Sequence, residues 1–174
     1  MDTAFKRIAS IALVVLCLVP IAGFRFAGAL PETPSFRPEL FFLGSTSGKG
    51  VLISRGRADR TFRVSSVGKI DHNGTFVLDQ KILFNDGKSD ERSFRIRRLN
   101  DHDYTGTLTG VPGRVSARVD GNSFHIRYLI RQPQVYMDQW IYLQPDGRSA
   151  LNRSTVKVLG IQVAHMSEFI TRTK

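Results

Sequence analysis

From Lys49 to the end of the chain, apolar and polar side chains alternate with a period of two. Phe124, Ile126 and Tyr128, for example, alternate with His125 and Arg127. This period places the apolar side chains on one face of a β-strand and the polar ones on the other. The pattern predicts ten strands, over residues 49–55, 61–71, 75–85, 92–99, 103–109, 114–120, 123–132, 134–144, 149–159 and 161–172.

Short turn sequences separate the predicted strands. Asn73-Gly74, Asp86-Gly87, Asp120-Gly121 and Asp146-Gly147 are dipeptides typical of two-residue β-hairpin turns. Strands joined by such short turns are antiparallel neighbours, and a long antiparallel meander tends to close because open sheet edges promote aggregation. The sequence therefore predicts an all-β fold, a closed or nearly closed antiparallel up-and-down barrel of eight to ten strands.

The first 29 residues have a different character and read as an export segment. Lys6 and Arg7 precede an uncharged, mostly apolar run over residues 8–24, and Ala27-Gly28-Ala29 follows it. A basic start, an apolar run and a small-residue site are the parts of a signal peptide. The run also reaches the lower limit for spanning a bilayer, so an uncleaved N-terminal membrane anchor is the alternative.

A third alternative for the N-terminal segment is a lipoprotein acylated at Cys17. Leu16 precedes this cysteine, whereas a bacterial lipobox has a small residue there. All three alternatives predict a chain exported to the bacterial cell envelope, either periplasmic or anchored to the inner membrane by residues 8–24. Residues 30–48 form a proline-punctuated lead-in whose apolar part, residues 40–43, is expected to dock on the barrel domain of residues 49–174.

The chain carries a net charge of +10, from 25 Lys and Arg against 15 Asp and Glu. Such a balance favours an anionic neighbour, but it also fits a solvated basic surface. Nucleic acid is not the predicted partner, because it would need aromatic side chains beside the arginines, and the phenylalanines lie on the opposite strand face. An anionic membrane surface stays open as a partner, and nothing in the sequence decides the oligomeric state.

Polar side chains in phase with the apolar face are the candidates for function, since an inward polar group needs a partner. The candidate ligand-binding residues are Gln80, Arg92, Tyr104, Tyr128, Asp138, Trp140, Asn152 and Arg153. An inward Arg92 needs a carboxylate or several other hydrogen-bond acceptors, and Asp138 is the nearest candidate by type. We expect Arg92, Asp138 and Arg153 to converge at one end of the barrel, either as ligand contacts or as a hydrogen-bonded cluster that closes that end.

Motifs for catalysis and cofactor binding are not found in the sequence. It contains no GxxxxGK[ST], GxGxxG, HExxH, CxxC or GxSxG. The four histidines have no metal-ligand spacing, and no Ser, His and Asp are arranged recognisably as a nucleophile with its base. The sequence thus predicts no cofactor, no metal site and no enzymatic activity.

A set of segments over residues 40–174, most distinctive in the C-terminal third, forms a recognisable pattern: Gly48-Lys49-Gly50, Arg55-Gly56, Gln80-Lys81-Ile82, Phe84, Asp86-Gly87, Arg92-Ser93-Phe94, Tyr104-Thr105-Gly106, Gly121-Asn122, residues 138–143, Leu151-Asn152-Arg153-Ser154, Lys157 and Gly160. In these segments the chain resembles an uncharacterised bacterial family of envelope proteins and lipoproteins, the domain-of-unknown-function-3833 family. This chain has Gln139 where the family usually has a second Asp and Gln80 where it usually has Glu, and it lacks the typical lipoprotein cysteine. The resemblance implies a lipocalin-like, calycin-type barrel and no established activity.

A barrel with a phenylalanine-rich interior and a few inward polar groups predicts a non-enzymatic binder of a small hydrophobic or acyl-chain ligand. The alternative is a structural or protein-interaction module of the envelope with a filled barrel and a basic surface. An enzyme that acts on envelope lipid is a weaker third hypothesis. The interior volume distinguishes the first two, because ordinary ligand pockets measure at least ~300 Å³.

Overall fold

The computed structural model describes residues 35–173, which form one short helix and ten strands. The elements are α1 (Pro38–Phe41), β1 (Gly44–Ser54), β2 (Arg60–Ile70), β3 (Phe76–Phe84), β4 (Ser89–Arg98), β5 (Asp103–Leu108), β6 (Val115–Asp120), β7 (Ser123–Arg131), β8 (Val135–Leu143), β9 (Ser149–Val158) and β10 (Ile161–Arg172). Every predicted strand is present. The bounds agree to within three residues, except that β1 begins at Gly44 instead of 49.

The ten strands form one closed antiparallel barrel in which each strand pairs with its neighbours in sequence. β1 pairs with both β2 and β10, so that Gly48 lies opposite Val64 on one side and Ile170 on the other. Closure pairs the backbone groups that an open sheet would leave exposed at its two edges. The predicted fold class, a closed up-and-down barrel, is confirmed.

The hairpin turns lie where the dipeptides predict them. Gly74, Gly87, Gly121 and Gly147 all have positive φ values, a conformation that glycine adopts without steric cost. In the β2–β3 turn, one carboxylate oxygen of Asp71 accepts hydrogen bonds from the backbone N–H groups of two residues of the same turn, both at 3.0 Å. These local interactions fix the turns independently of the rest of the barrel.

Residues 35–43 close one end of the barrel, which we call the closed end. Phe36, Phe41 and Phe42 are buried there, and the Phe36 N–H donates a 2.8 Å hydrogen bond to the carbonyl of Gly121 in the β6–β7 turn. The Phe36 ring is stacked on Phe124, with the ring centroids 5.7 Å apart. The lead-in is therefore part of the hydrophobic core.

The expectation that residues 40–43 dock on the barrel is confirmed for Phe41 and Phe42 only. Leu40, in the helical turn, is 47% exposed, and Leu43, which follows the helix and forms a bridge with Gly68, is 42% exposed. β1 also takes up the last residues assigned to the lead-in, from Gly44 onward. A side chain at Gly68 would collide with the carbonyl of Phe42, so glycine there permits this close approach.

The predicted export segment lies outside the described residues. Among residues 35–173, no helix has the length and hydrophobicity needed to cross a bilayer.

Candidate functional site

A cluster of polar side chains lies inside the barrel, on two facing arcs of the wall. We call it the interior polar cluster, and its members are Ser66, Gln80, Arg92, Gln139, Asn152, Ser154 and Glu168. The two arcs are on β2–β4 and on β8–β10. Each member alternates along its strand with an outward residue, so the strand period alone places these groups inside.

The first arc is a chain of hydrogen bonds between register neighbours. Gln80 on β3 lies opposite Ser66 on β2 and Arg92 on β4. Its amide nitrogen donates to Ser66 Oγ at 3.2 Å, and Arg92 Nε donates to its amide oxygen at 2.9 Å. The predicted inward orientation of Gln80 and Arg92 is confirmed.

The second arc is built around a buried carboxyl group. Asn152 Nδ2 donates to Glu168 Oε2 at 2.9 Å, and Ser154 Oγ donates to Asn152 Oδ1 at 2.9 Å. The Glu168 side chain fills the space over Gly48, where any larger residue would collide with it. Asn152 is only 1% exposed, so its side chain lies inside the barrel.

Gln139 extends the second arc on β8. It is buried, and its Oε1 atom has no hydrogen-bond partner among the described residues. A buried acceptor without a partner costs about 1–3 kcal/mol unless a water or a ligand supplies a donor. The Oε1 atom of Gln139 is thus the acceptor of the cluster that can take a hydrogen bond from a water or a ligand.

Glu168 is the one ionisable acid among the members of the cluster. Burial raises the pKa of its carboxyl group, and the hydrogen bond from Asn152 and the positive charge of Arg92 only partly oppose this effect. Because the carboxyl is desolvated, the proton is held more firmly in the folded chain than in the unfolded one.

We expect the Glu168→Gln variant to gain stability relative to the natural chain as the pH rises. The raised pKa means that the contribution of Glu168 to stability is fully present below its unfolded pKa, about 4.3. That contribution is lost as the pH rises through the folded pKa. Urea unfolding of both chains over a series of pH values measures the difference in unfolding free energy. Glu91→Gln, at an exposed site, is the control, and a difference for Glu168→Gln that does not change with pH would contradict the expectation.

The cavity enclosed by the barrel is small. The centre of a water molecule can occupy about 30 Å³ of it, which is room for about two waters. Phenylalanines make up much of its wall, and Gln80, Arg92, Gln139, Asn152 and Glu168 supply its polar lining. The barrel is therefore mostly filled by its own side chains.

A second concavity opens at the rim opposite the closed end. We call it the rim groove, and it is lined by Asp90, Glu91, Arg92, Leu108, Thr109, Gly110, Val111, Tyr128, Ile130 and Met137. Its volume is about 350 Å³. Arg92 lines both the cavity and the rim groove, so this residue lies between the interior and the rim.

The two candidate tyrosines are buried at different places. Tyr128 lines the rim groove, and burial raises the pKa of its hydroxyl. Tyr104 lies at the closed end, where its hydroxyl donates a 3.1 Å hydrogen bond to Glu39 Oε2. Burial and then the nearby Glu39 charge raise the pKa of Tyr104 to about 12. Tyr104 thus ties the lead-in to the barrel and does not line the cavity.

The expectation that Arg92, Asp138 and Arg153 converge is wrong. Asp138 and Arg153 are on the outer wall, where Asp138 contacts His125 and has Lys157 Nζ at 3.6 Å from its Oδ2. The third misplaced candidate, Trp140, also faces outward and is 38% exposed.

The reason for this error lies in β8, whose two faces both carry large apolar side chains. Gln139, Ile141 and Leu143 are buried in the barrel, so the alternate residues of the strand face outward. Arg153 follows the inward Asn152 directly and must therefore point the other way. Desolvation raises the pKa of Asp138, but the hydrogen bond from His125 and the positive charges of His125, Lys157 and Arg127 outweigh it, and the pKa is lowered.

Sequence reasoning missed Glu168 and Gln139 as members of the cluster. Glu168 is in phase with the buried Ile170, which is the same criterion that found Gln80 and Arg92. Phase with the apolar face does not identify Gln139, because both faces of β8 are apolar and the sequence pattern favours the wrong one. The carboxylate that faces Arg92 from across the interior is thus Glu168 and not Asp138.

A family described as a protein of unknown function (DUF3833) matches the chain over residues 16–172. The chain belongs to this family. The resemblance seen in the sequence is therefore confirmed, and no curated protein matches the chain. Gln80 and Gln139 are both members of the interior polar cluster.

Several solved structures share the fold. The S-type phycobiliprotein lyase CPES from Guillardia theta superposes with a TM-score of 0.61 at 8% identity, covering 78% of this chain and 90% of its own. A protein of unknown function from the DUF3598 family of Nostoc punctiforme PCC 73102 gives 0.60 at 16% identity, covering 84% and 53%. The protein Rv2717c from M. tuberculosis gives 0.60 at 14% identity, covering 80% and 99%. Identities this low show a shared barrel fold, in agreement with a lipocalin-like architecture, and not a shared function.

Proposed function

We propose that this protein is a non-enzymatic binding protein of the bacterial cell envelope, and that its ligand is a small amphiphile with an anionic head group. The observation that carries the proposal is the position of Arg92 between the interior cavity and the rim groove. No carboxylate of the described residues forms an ion pair with its guanidinium group. A half-buried, unpaired cation is stabilised by an anionic ligand that hydrogen-bonds to it.

The rim groove supplies the apolar part of the site. Leu108, Val111, Ile130 and Met137 line it beside the ring of Tyr128. A volume of about 350 Å³ is within the range of small-molecule pockets, whereas the 30 Å³ cavity is not. We therefore place the apolar body of the ligand in the rim groove and its head group at Arg92, with the interior polar cluster behind it.

We expect Arg92→Met to reduce the affinity for a fluorescent fatty-acid probe by about tenfold or more. A charge-assisted hydrogen bond is worth about 1.5–3 kcal/mol, and methionine keeps most of the apolar stem while it removes the charge. Competition with a fatty acid and with its methyl ester measures the preference for the carboxylate. The natural chain should prefer the acid, and Arg92→Met should not.

The matched control is Arg97→Met, on the outer face of the same strand. Arg97 is exposed and lines neither the cavity nor the rim groove. Equal affinities for acid and ester in the natural chain, or equal losses in the two variants, would rule out Arg92 as the head-group site.

A second candidate function is an interaction or structural module of the envelope. The small interior favours it, because a cavity well below ~300 Å³ is typical of a barrel filled by its own side chains. Native mass spectrometry of protein from its own host distinguishes the two functions. The absence of any bound small molecule, together with no binding of the fatty-acid probe, would favour the interaction module.

The envelope location depends on the first 29 residues, which combine a basic start, an apolar run and Ala27-Gly28-Ala29. Cell fractionation tests it. Recovery of the chain in the periplasm would indicate a cleaved signal, and recovery with the membrane an uncleaved anchor. Recovery in the cytoplasm would contradict the location.

A further inference from the structure

An apolar and aromatic patch lies on the outer wall of the barrel, away from the site described above. We call it the outer aromatic patch, and its members are Trp140, Tyr142, Leu151 and Phe169. Tyr142, Leu151 and Phe169 are direct register neighbours on β8, β9 and β10 and form a continuous row. Trp140 is 38% exposed and Phe169 is 52% exposed, although both are large and apolar. An exposed patch of this kind usually marks a surface that contacts something else.

Neighbouring side chains hold Trp140 in one orientation. Its ring is stacked on His125 at a centroid distance of 4.0 Å with 10° between the ring planes. Tyr142 lies nearly parallel to it at 6.3 Å. His125 is itself fixed by its hydrogen bond with Asp138. The patch is therefore preorganised, and little side-chain entropy remains to be lost on contact.

The wall around the outer aromatic patch is strongly basic. On β7–β10 and β1 the outward cations are Lys49, Arg127, Arg131, Arg153 and Lys157, while Asp138 is the only outward acid of these described strands. Asp138 is already engaged by His125 and Lys157. The remaining cations on this wall give it a positive potential that needs an anionic counterpart.

On the opposite wall more of the positive charge is paired. On β2–β4 the outward ion pairs are Lys69 with Asp79, Lys81 with Glu91, and Arg95 with Asp71 of the adjoining turn. Among the described residues of β2–β4, two outward cations are left without an ion pair, Arg63 and Arg97, against four on the wall that carries the exposed aromatic side chains.

We propose that this wall docks on an anionic phospholipid bilayer. Trp and Tyr favour the headgroup region, where an apolar ring and a polar edge are both accommodated. Phe169 and Leu151 add apolar area that can enter the acyl boundary, and Arg153 and Lys49 are placed beside them to meet lipid phosphates. A nucleic acid fits less well, because the Trp140 ring is already stacked with two neighbouring rings.

The point at which the chain enters the barrel agrees with this orientation. Phe36 is hydrogen-bonded to Gly121 in the β6–β7 turn, and Ser123 after that turn is the register partner of Tyr142. Phe36, near the start of the described chain, therefore lies at the same end of the barrel as Tyr142 of the outer aromatic patch.

Trp140 is the single tryptophan of the chain, so its fluorescence reports directly on the patch. The experiment uses the full chain with vesicles that contain a brominated phospholipid, which quenches only tryptophan in contact with lipid. One set of vesicles is zwitterionic phosphatidylcholine, and the other contains phosphatidylglycerol. Because contact of Trp140 with lipid is the readout, it does not depend on whether the N-terminal segment inserts.

We expect strong quenching in the anionic vesicles, little in the zwitterionic ones, and loss of quenching at high salt. Arg153→Gln and Lys49→Gln should each lower the ratio of docked to undocked protein about fivefold. Phe169→Ser should lower it about tenfold. Arg97→Gln repeats the arginine change outside the patch, and Leu83→Ser removes another exposed apolar side chain there; both should leave the ratio unchanged.

Equal quenching in the two kinds of vesicle, or no quenching in either, would overturn the proposal. Equal effects of Arg153→Gln, Lys49→Gln and Arg97→Gln would also overturn it, because docking would then depend on the net charge of the chain alone. A change in Trp140 emission with a single-stranded oligonucleotide but not with vesicles would identify nucleic acid as the occupant and would also overturn it. Binding of the fatty-acid probe at Arg92 is independent of each of these outcomes.

Discussion

Replacing Phe36 by Ala is expected to lower the free energy of unfolding by about 3–5 kcal/mol. Phe36 is 1% exposed and contacts the rings of Phe41, Phe42 and Phe124 at centroid distances of 5.4, 6.3 and 5.7 Å. Removing its ring leaves a cavity between the lead-in and the barrel, because the surrounding aromatic side chains cannot collapse fully into the space. Urea unfolding followed by circular dichroism measures the loss.

The control for this prediction is Phe169→Ala, which removes an equally large ring from the exposed outer wall. It should lower the unfolding free energy by only about 1 kcal/mol, since about half of the Phe169 side chain stays in water and its removal leaves no enclosed cavity. Similar losses for the two variants would show that the lead-in contributes no more to the stability of the core than a surface residue does.

Replacing Asn152 by Leu is expected to destabilise the barrel by about 3 kcal/mol or more at neutral pH. Asn152 donates the one hydrogen bond that Glu168 accepts from a described side chain, and it also accepts from Ser154. Leucine has no polar atom to offer, so the buried carboxyl loses its donor. The loss should be smaller at low pH, where the carboxyl is neutral.

A double-mutant cycle separates this effect from simple loss of packing. Asn152→Leu combined with Glu168→Leu removes both partners, and replacing both by apolar groups of similar size costs far less than orphaning one of them. The double variant should therefore be more stable than the sum of the two single losses predicts. Additive losses would show that the two side chains do not act as a pair.

The two halves of the interior polar cluster differed in how far the sequence could predict them. On β3 and β4, Gln80 and Arg92 are flanked by residues of clear polarity, so their phase and orientation could be read directly. On β8, Tyr136 and Met137, and then Trp140 and Ile141, place large apolar side chains on both faces. Hydrophobicity does not distinguish the faces of such a strand, and a register error of one residue reverses every side chain.

Which carboxyl group faces Arg92 depends on which strands lie opposite each other across the closed barrel. Asp138 and Glu168 are both carboxylates on late strands, and chemical type alone does not choose between them. Closure places β10 next to β1, and the glycine at position 48 leaves the space that the Glu168 side chain occupies. The position of Glu168 therefore depends on the pairing of β1 with β10, whose register partners are more than a hundred residues apart in the chain.

By itself, the sequence determined the all-β class, the ten strands, the glycine turns and the antiparallel order, and it carried the residues by which the family is recognised. These are local properties, since a period of two and a turn dipeptide act over a few residues. The tertiary structure decided the inward face of β8, the carboxyl group that faces Arg92, the packing of the lead-in and the small size of the interior. These features depend on contacts between distant residues, because the volume left inside a barrel and the positions of its buried charges are set only once all ten strands have closed around the same space.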